Sequence, residues 1–508
     1  MLDFLKRDDL TGDQMERIGR RLQKSGKRAL NPLVRKLWQE KNGTALYRYT
    51  CMLDFFDDSS WLDQLVQITL RRKDLEEDGR LALLDALQES GIDVTAPPFA
   101  GMTGYGASSI QGFVCDCLKD GDRGQVRFID LFLDAADDVR EQMIRRLAET
   151  SSSEAVEILE ILTNFERTEV VHEAVTALGR AKNGFALTVL KNAAKHHEGE
   201  TSELIQRSIR RLSFIGVLEP LELPYAIPAS LPFHSVQAGP IDIYGSRTLW
   251  FSWRLADSSF AALVLLIGES DGVINALSYR MKDEKVYDGI LREVASGELL
   301  EPVETGYAMA LLRDGLFRSR EKGYYLPPDL YVDMRLFDQE PLKPEAYIPR
   351  FNLAHLEGIV ERIPGYMSCS NELLDHPALE GWLFSEPAVY DAAERLTALE
   401  NKNDGEGGIS ESEIESELTG FCNEMVTPRR AEIVKRLLLT ADYMQHTGSD
   451  EKTVQQTLAT ALSLVGGFLS EANHPFIRRL ILDSIETARQ AIAEGYDMRL
   501  EEGFDDEE

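Results

Sequence analysis

The sequence predicts a mainly α-helical protein with an N-terminal α-solenoid, a small central α+β domain built on an antiparallel sheet, and a C-terminal helical region. Three observations predict it. Over residues 1–215, apolar residues recur at spacings of three and four between short polar turns, as in consecutive amphipathic helices. Between residues 247 and 268 the pattern changes to aromatic and aliphatic runs typical of strands. From about residue 351 the helical spacing returns.

The chain is long enough for about three domains of ordinary size. We assign helical repeats to residues 1–215, an α+β domain to residues 220–350 and a helical domain to residues 351–508. The helical domain is predicted to contain an acidic, glycine-bearing linker near residues 401–413. Its tail, EEGFDDEE, is predicted to be disordered.

An internal repeat supports the solenoid assignment. Residues 139–159 align with residues 170–190 at a shift of 31, and the same shift places residues 51–56 over residues 82–87. Ile209 and Leu212 fall 34 positions beyond Val175 and Leu178, with residues 196–200 as an extra loop. The clearest aligned pairs are Val139 and Val170, Ile144 and Val175, Leu147 and Leu178, Ala155 and Ala186, and Leu159 and Leu190. Such a row of helix pairs would bury a continuous apolar seam between neighbours.

Residues 170–194 resemble a HEAT-like repeat. A helix ends in Ala-Leu-Gly at residues 177–179, a short turn follows, and a second helix opens with an apolar-Ala-Leu pattern at residues 185–187. Ala174 and Gly179 are small where one helix must approach the next. The resemblance covers about two repeats closely and the rest of the N-terminal region loosely. It implies an extended curved surface that binds protein partners.

The remaining elements follow from apolar periodicity and turn residues. The proline-rich stretch over residues 216–245 is predicted to be an extended connection, with Ile241 to Tyr244 as a candidate third strand. Thr427 and Pro428 have the residue types that begin a helix. We predict strands over residues 247–255 and 259–268, and helices over residues 283–296, 303–321, 427–448, 451–465 and 475–493.

Composition excludes several classes of protein. A net charge of −31 argues against general affinity for nucleic acid or anionic membranes. Five scattered cysteines form no disulfide framework and suit a reducing compartment. The longest apolar run, residues 260–268, is too short to span a bilayer as a helix, and the N-terminus lacks a signal-peptide pattern. We therefore expect a cytoplasmic protein that does not interact with membranes.

The most catalytic-looking motif is a glycine-rich loop. From Gly101 to Ser108 it follows the outline of a phosphate-binding loop, but Ala107 occupies the position that requires lysine, and the preceding segment is helical. We interpret it as a connection between helices, with Ser108 and Ser109 capping a helix that begins near Ile110. The alternative is a loop that contacts a ligand or partner.

Metal-binding patterns are weak. Glu169 and His172 have the spacing found in some metal-binding helices, as do Glu471 and His474, but Thr176 replaces the second histidine that a zinc-protease helix needs. We therefore expect no metal site, no cofactor and no catalytic residues. Two cysteines one residue apart, Cys115 and Cys117, are interpreted as small buried apolar residues.

The best partner-binding candidate is a basic helix face near the N-terminus. Residues 1–50 contain twelve lysines and arginines against six acidic residues, although the whole chain is strongly acidic. Met15, Ile18 and Leu22 fall on the opposite, apolar face. The structural interpretation is a solvated cap on the first repeat. The functional interpretation is a docking surface for an acidic partner, including the chain's own acidic segments. The basic residues are Arg17, Arg20, Arg21, Lys24 and Arg28.

These observations favour a non-catalytic scaffold protein that binds protein partners along an extended helical-repeat surface. One alternative makes the α+β domain an enzyme or a small-ligand module that the solenoid recruits. A second is nucleic-acid binding through the basic N-terminal helix face, which requires a salt-sensitive interaction. Polar candidates for the enzyme alternative are Asp242, Arg247, Arg254, Asp271 and Arg280.

Overall fold

A computed structural model describes residues 5–6, 12–25, 27–56, 61–72, 75, 77–90, 92, 94, 107–220, 231–297, 299–337, 342–353, 357–403, 411–497 and 499. Between residues 12 and 214, the described elements are all helices. A short 3₁₀ turn, Leu53–Phe55, follows the third helix. The helices are α1 Gly12–Ser25, α2 Lys27–Gln39, α3 Gly43–Cys51, α4 Leu62–Arg71, α5 Glu77–Glu89, α6 Ala107–Lys119, α7 Gly121–Asp134, α8 Asp137–Thr150, α9 Ser153–Leu162, α10 Thr168–Leu178, α11 Gly184–Ala193 and α12 Gly199–Phe214.

In the described part of the chain, one antiparallel sheet follows these helices, and further helices follow the sheet. The strands are β1 Phe233–Ala238, β2 Ser246–Arg254, β3 Phe260–Gly268, β4 Gly272–Met281 and β5 Glu301–Pro302. The later helices are α13 Glu284–Gly297, α14 Thr305–Lys322, α15 Pro328–Asp333, α16 Ile363–Met367, α17 Pro387–Asn403, α18 Glu411–Phe421, α19 Arg430–His446, α20 Glu451–Gly466 and α21 Pro475–Glu494. The predicted fold class, mainly α with a central antiparallel sheet between helical regions, is confirmed.

The chain forms two compact units. The first comprises Met1–Lys119 and Ala135–Thr150, and the second comprises Asp120–Asp134 and Ser151–Glu508. Helix α7 therefore belongs to the second unit, although the helices before and after it belong to the first. The predicted three-domain division at residues 215 and 350 stays a prediction.

The first unit is held together by apolar contacts among α1 to α5, and α6 packs on α8. Leu33, Leu46 and Leu83 are among the fully buried core residues. The predicted equivalence of residues 51–56 and 82–87 is wrong, because the first stretch ends α3 and continues as a 3₁₀ turn, whereas the second lies inside α5. The apolar spacing was similar, but the chain at residues 51–56 turns instead of continuing as a helix.

Helices α9 to α12 pack as a stack in the second unit. Helix α10 contacts α9 and α12, while α11 contacts α9 and α12. Each helix thus packs on neighbours one and two positions away, an arrangement compatible with a helical repeat. The aligned positions of α9 and α11 are buried in both copies: Ala155 and Ala186, and Leu159 and Leu190. Val175 and Leu178 of α10 are buried, and so are their aligned counterparts Ile144 and Leu147 in α8 of the first unit. Leu212 is buried as well, whereas Val139 and Ile209 are half-buried.

Small and polar residues fix the spacing of this stack. A Cβ atom on Gly179 would lie 2.7 Å from the Cβ of Ser208 in α12, so glycine permits the close approach predicted for this position. Asn183 caps α11 by accepting the Phe185 N–H at 2.9 Å, and its amide donates to the Ser151 carbonyl at 3.1 Å. The turn between α11 and α12 spans residues 194–198, two residues earlier than the predicted loop.

The sheet has the strand order β4-β3-β2-β1-β5, with every pair antiparallel. Two strands were predicted close to their observed bounds, and the expectation of at least three strands is confirmed. Ile241 to Tyr244 is a turn and not a strand, because the Asp242 carboxylate accepts the Tyr244 and Ser246 N–H groups at 2.9 and 2.8 Å. Strand β1 lies within the stretch predicted to be a connection, and β4 was not predicted.

Aromatic side chains fill both faces of the sheet. On one face Trp250 packs edge-on against Tyr287 of α13, with ring centroids 5.9 Å apart. On the other, Trp253 and Phe251 pack against Phe337, at 5.0 and 5.2 Å. Both tryptophans are fully buried, although they point to opposite sides of β2. The sheet therefore has an apolar, packed interior on each side.

The C-terminal helices differ from prediction mainly at their starts. Helices α20 and α21 agree closely with the predicted ranges. Helix α19 begins at Arg430 after a π-helical segment, Cys422–Val426, so Thr427 is not its cap: the Thr427 N–H donates to the Cys422 carbonyl at 3.0 Å. The predicted linker near 401–413 is shorter, because residues 401–403 end α17 and residues 411–413 begin α18. The tail, residues 501–508, lies outside the described residues.

Candidate functional site

The predicted basic face is present on α1 in the first unit. Arg17, Arg20, Arg21 and Lys24 are exposed, while Ile18 and Leu22 on the other side of the helix are buried in the apolar core. Arg28 belongs to α2, because α1 ends at Ser25. The side chain of Arg28 lies outside the described residues. The exposed stripe on α1 therefore consists of the four residues from Arg17 to Lys24.

The glycine-rich loop, residues 101–106, lies outside the part of the chain that the structure describes. The helix after it begins at Ala107, three residues before the predicted start, and Ile110 is buried in that helix. Cys117 in the same helix is buried, as predicted, and Cys115 is half-buried.

Both histidines of the Glu-x-x-His pairs bond to hydroxyl groups. His172 Nε2 lies 2.9 Å from Thr201 Oγ1 of α12, and His474 Nε2 lies 2.7 Å from Ser463 Oγ of α20. Among the described residues, no group of three or more histidine, cysteine, aspartate or glutamate side chains is arranged to hold a metal ion.

The Ser463–His474 pair is a buried contact with a defined proton arrangement. Ser463 donates its hydroxyl proton to the Thr460 carbonyl at 2.7 Å, so His474 Nε2 must carry the proton that Ser463 accepts. His474 is 1% exposed, and its Nδ1 atom has no hydrogen-bond partner among the described residues. Burial lowers the pKa of His474 to about 4, because the cationic ring would lose its hydration. The histidine is therefore neutral at neutral pH, and the pair links α20 to the residue that precedes α21.

We expect this histidine to make the second unit sensitive to acid. Its pKa is about 4 when folded and about 6.5 when unfolded, so the unfolded chain binds more protons between these values. Stability is fully present above the unfolded pKa and is lost as the pH falls towards the folded pKa. The expected loss is about 2 kcal/mol between pH of about 8 and about 5. Urea unfolding should show this loss reduced in His474→Gln and unchanged in the exposed control His196→Gln.

A polar network joins α7, β4 and α15, and we call it the Arg280 network. The Arg280 guanidinium donates to both carboxylate oxygens of Asp333, whose side chain is fully buried, and its Nε donates to Asp122 Oδ2 at 2.9 Å. Arg335 Nη2 donates to the other oxygen of Asp122 at 2.8 Å. Ser278 Oγ donates to Asp333 Oδ2 at 2.6 Å. Every charge has a partner here, so the arrangement secures α7 to the sheet.

A second buried group, the Tyr347 cluster, lies where β2, α14 and α19 meet. Arg247 Nη1 donates to the Tyr307 hydroxyl at 3.2 Å, and the Tyr307 ring stacks on His446 with centroids 3.9 Å apart. The Tyr347 hydroxyl donates to Asp442 Oδ2. Burial raises the pKa of both tyrosines, so both phenols stay protonated at neutral pH.

Asp442 is the least satisfied member of the Tyr347 cluster. Its side chain is fully buried, yet Oδ1 has no hydrogen-bond partner among the described residues. His446 Nε2 lies 3.9 Å from this oxygen, beyond hydrogen-bond distance. An unsatisfied buried carboxylate oxygen is costly, and it marks the cluster as the strongest small-ligand candidate in the second unit.

The other polar candidates of the central domain have local roles. Asp242 shapes a turn, Asp271 is exposed in the turn between β3 and β4, and the Arg254 guanidinium lies 5.8 Å from the Phe260 ring centre. Arg247 and Arg280 belong to the two separate groups described above. An open surface depression of about 340 Å³ is lined by none of the five candidates but by Phe317, Arg320, Glu321 and Pro344.

Comparison of the chain with protein-family models, with curated proteins and with solved structures gives no significant match. Within the described residues, none of the helices combines the length and apolar character needed to cross a bilayer.

Proposed function

We propose that the protein is a non-catalytic scaffold that binds protein partners along the stack of α9 to α12, which includes the HEAT-like segment of residues 170–194. The observation that carries the proposal is the packing of each helix on neighbours one and two positions away, with aligned residues buried at each step. Stacked helix pairs expose a continuous row of side chains and enclose no single pocket. Such a surface suits an extended protein partner.

The packing of the central domain supports the same proposal. An enzyme built on the sheet would need a pocket lined by converging polar groups. Instead, Trp250 and Tyr287 fill one face, while Trp253 and Phe337 fill the other. The Arg280 network has its charges paired with one another. The central domain therefore fits a structural part of the scaffold.

Site-specific photo-crosslinking of the full chain tests the scaffold function. A photoreactive residue at exposed stack positions, Glu169 or Gln206, should crosslink a discrete set of proteins in native lysate. The same group at exposed α13 positions, Asp288 or Arg292, is the matched control. Crosslinks confined to α13, or none at any stack position, would refute a partner-binding role for the stack.

A small-ligand module is the second candidate, because Asp442 Oδ1 lacks a partner in a fully buried carboxylate. A ligand with a donor group could satisfy this oxygen while displacing the Tyr347 side chain. The Tyr347 backbone would stay in place, because its N–H donates to Asp314 Oδ1 at 2.9 Å. We expect any such ligand to raise the melting temperature of the wild-type protein and to lose this effect in Asp442→Asn. Thermal shift measurements across amine and phenol compounds check it, and an equal shift in both proteins would dismiss the site.

The exposed stripe on α1 is a separate proposed contact for an acidic partner. Replacing Arg17, Arg20 and Arg21 with glutamate is expected to weaken binding of such a partner, with little change in stability because the substituted positions are exposed. Nucleic acid is the alternative partner. Binding of a labelled DNA or RNA oligonucleotide that falls steeply with salt and disappears in the triple variant would favour it. Unchanged protein and oligonucleotide binding in that variant would leave the stripe as a solvated cap.

A further inference from the structure

The outer face of α12 carries both cationic and apolar groups. Arg207, Arg210, Arg211 and Phe214 are spaced by three and four residues, so they project from one side of the helix. The buried residues Ile205, Ser208 and Leu212 lie on the opposite side, against the stack. All four outer residues are exposed, and Phe214 is 92% exposed. We call these four residues the α12 outer face.

The arginines of the α12 outer face have no acidic partner within the described part of the chain. Arg210 Nε donates to the Gln206 carbonyl at 3.2 Å, which leaves its charge uncompensated. Glu200 lies on the same side in the first turn of the helix, and Glu203 lies one turn before Arg207, but among the described residues neither carboxylate forms an ion pair with these arginines. Cations near the C-terminal end of a helix are favourable for the helix dipole, which accounts for part of this charge arrangement. The dipole gives no reason for an aromatic ring that is almost fully in water.

Apolar exposure continues at the end of the helix. Gly216 adopts a left-handed conformation with φ of 80°, and the Val217 N–H donates to the Leu212 carbonyl at 3.1 Å, so the chain turns after α12. Ile215 and Leu218, on either side of this turn, are also exposed. Clustered apolar exposure bordered by charged residues is a feature of protein interaction sites.

We propose that the α12 outer face binds an acidic peptide segment of a partner protein, with an aromatic or aliphatic side chain of that segment packed on Phe214. The proposal rests on the scaffold function and specifies the partner chemistry of the same stack. Unpaired arginines in a chain of net charge −31 select for carboxylates, and guanidinium groups bind carboxylates in a two-pronged geometry. Phe214 requires an apolar counterpart that a phosphate backbone does not offer.

Fluorescence anisotropy with defined probes tests the proposal on the full chain. The main probe is a labelled peptide of glutamate, leucine and phenylalanine, compared with labelled polyglutamate and a labelled single-stranded DNA oligonucleotide. We expect the mixed peptide to bind more tightly than polyglutamate. The combined change Arg207→Glu, Arg210→Glu and Arg211→Glu should weaken it at least about tenfold, since three attractive contacts become repulsive. Phe214→Ser should weaken the mixed peptide but leave polyglutamate unchanged.

The control is Arg292→Glu, which reverses an exposed charge on α13 and should leave binding unchanged. Circular dichroism checks that each variant is folded. Equal peptide binding by the wild type and the triple variant would overturn the proposal, as would tighter binding of the DNA than of the mixed peptide. If crosslinks from Glu169 persist while the triple variant binds the peptide normally, the scaffold function stands and this assignment of the α12 outer face fails.

Discussion

Replacing Arg280 with methionine is expected to destabilise the second unit by about 3 kcal/mol. The substitution keeps an unbranched side chain but leaves the fully buried carboxylate of Asp333 without its cation. Removing one partner of a buried ion pair costs about 3–5 kcal/mol, because the remaining charge has neither water nor a counter-ion. We expect a loss at the lower end of this range, because Ser278 Oγ still donates to Asp333. Urea unfolding followed by tryptophan fluorescence measures it.

Arg395→Met is the matched control for this prediction. Arg395 forms an ion pair with Glu417 at 2.9 Å, but both side chains are substantially exposed, so the loss should stay below about 1 kcal/mol. Hydrogen exchange should show faster opening of α7 in Arg280→Met, because the lost arginine also contacts Asp122. Equal stability of the two variants would mean that the Arg280 network does not hold α7 against the sheet.

Replacing Gly179 with alanine is expected to destabilise the helix stack by about 2–3 kcal/mol. The new methyl group would lie 2.7 Å from Ser208 Cβ and 3.2 Å from Ser208 Cα, so α12 would have to move. Overpacking of this kind costs about 1–3 kcal/mol, and contact with helix backbone places it towards the upper end. Urea unfolding measures the loss, and hydrogen exchange of α10 and α12 locates it.

Two further variants separate packing from backbone effects. Ser208→Gly removes the two side-chain atoms, Cβ and Oγ, that the methyl group would meet at 2.7 Å, and leaves only Cα at 3.2 Å. Gly179→Ala combined with Ser208→Gly should therefore be less destabilised than the sum of the single changes predicts. Gly289→Ala in α13 introduces a methyl group with no atom within 4 Å, and it should stabilise by about 0.5–1 kcal/mol. Additive single changes would show that Gly179 is not required for the approach of α12.

Much of the fold could be predicted because periodicity is local. The strands β2 and β3 are nearly continuous apolar runs, and α20 and α21 have clear helical spacing, so their ranges were close. Strand β4 reads GVINALSYRM, in which Ile274 and Leu277 face outward and are exposed, so its alternation is weak. Strand β1 pairs with the next strand, β2, but it lies between Pro232 and Pro240. Prolines at this spacing are typical of an extended connection, so the strand was not predicted.

The candidate sites show the same division between local and distant information. The amphipathic character of α1 could be predicted from residue spacing. The close approach of another helix at Gly179 could be predicted from its place in the repeat. The Tyr347 cluster joins Arg247 to Asp442, residues almost two hundred positions apart, so no spacing rule relates them. The α12 outer face did have a signal, because Arg207, Arg210 and Arg211 share the spacing of the basic residues on α1. The exposure of Phe214 could be known only from the structure.

The most direct test links the integrity of the stack to partner binding. Crosslinking from Gln206 in native lysate should be compared in the wild type, in Gly179→Ala, and in Gly179→Ala with Ser208→Gly, alongside hydrogen exchange of α10 and α12. We predict that the crosslinked partner is lost in the single variant, together with protection of these helices, and that both return in the double variant. Partner crosslinks that persist after α10 and α12 have lost their protection would contradict a scaffold function that depends on the packed stack.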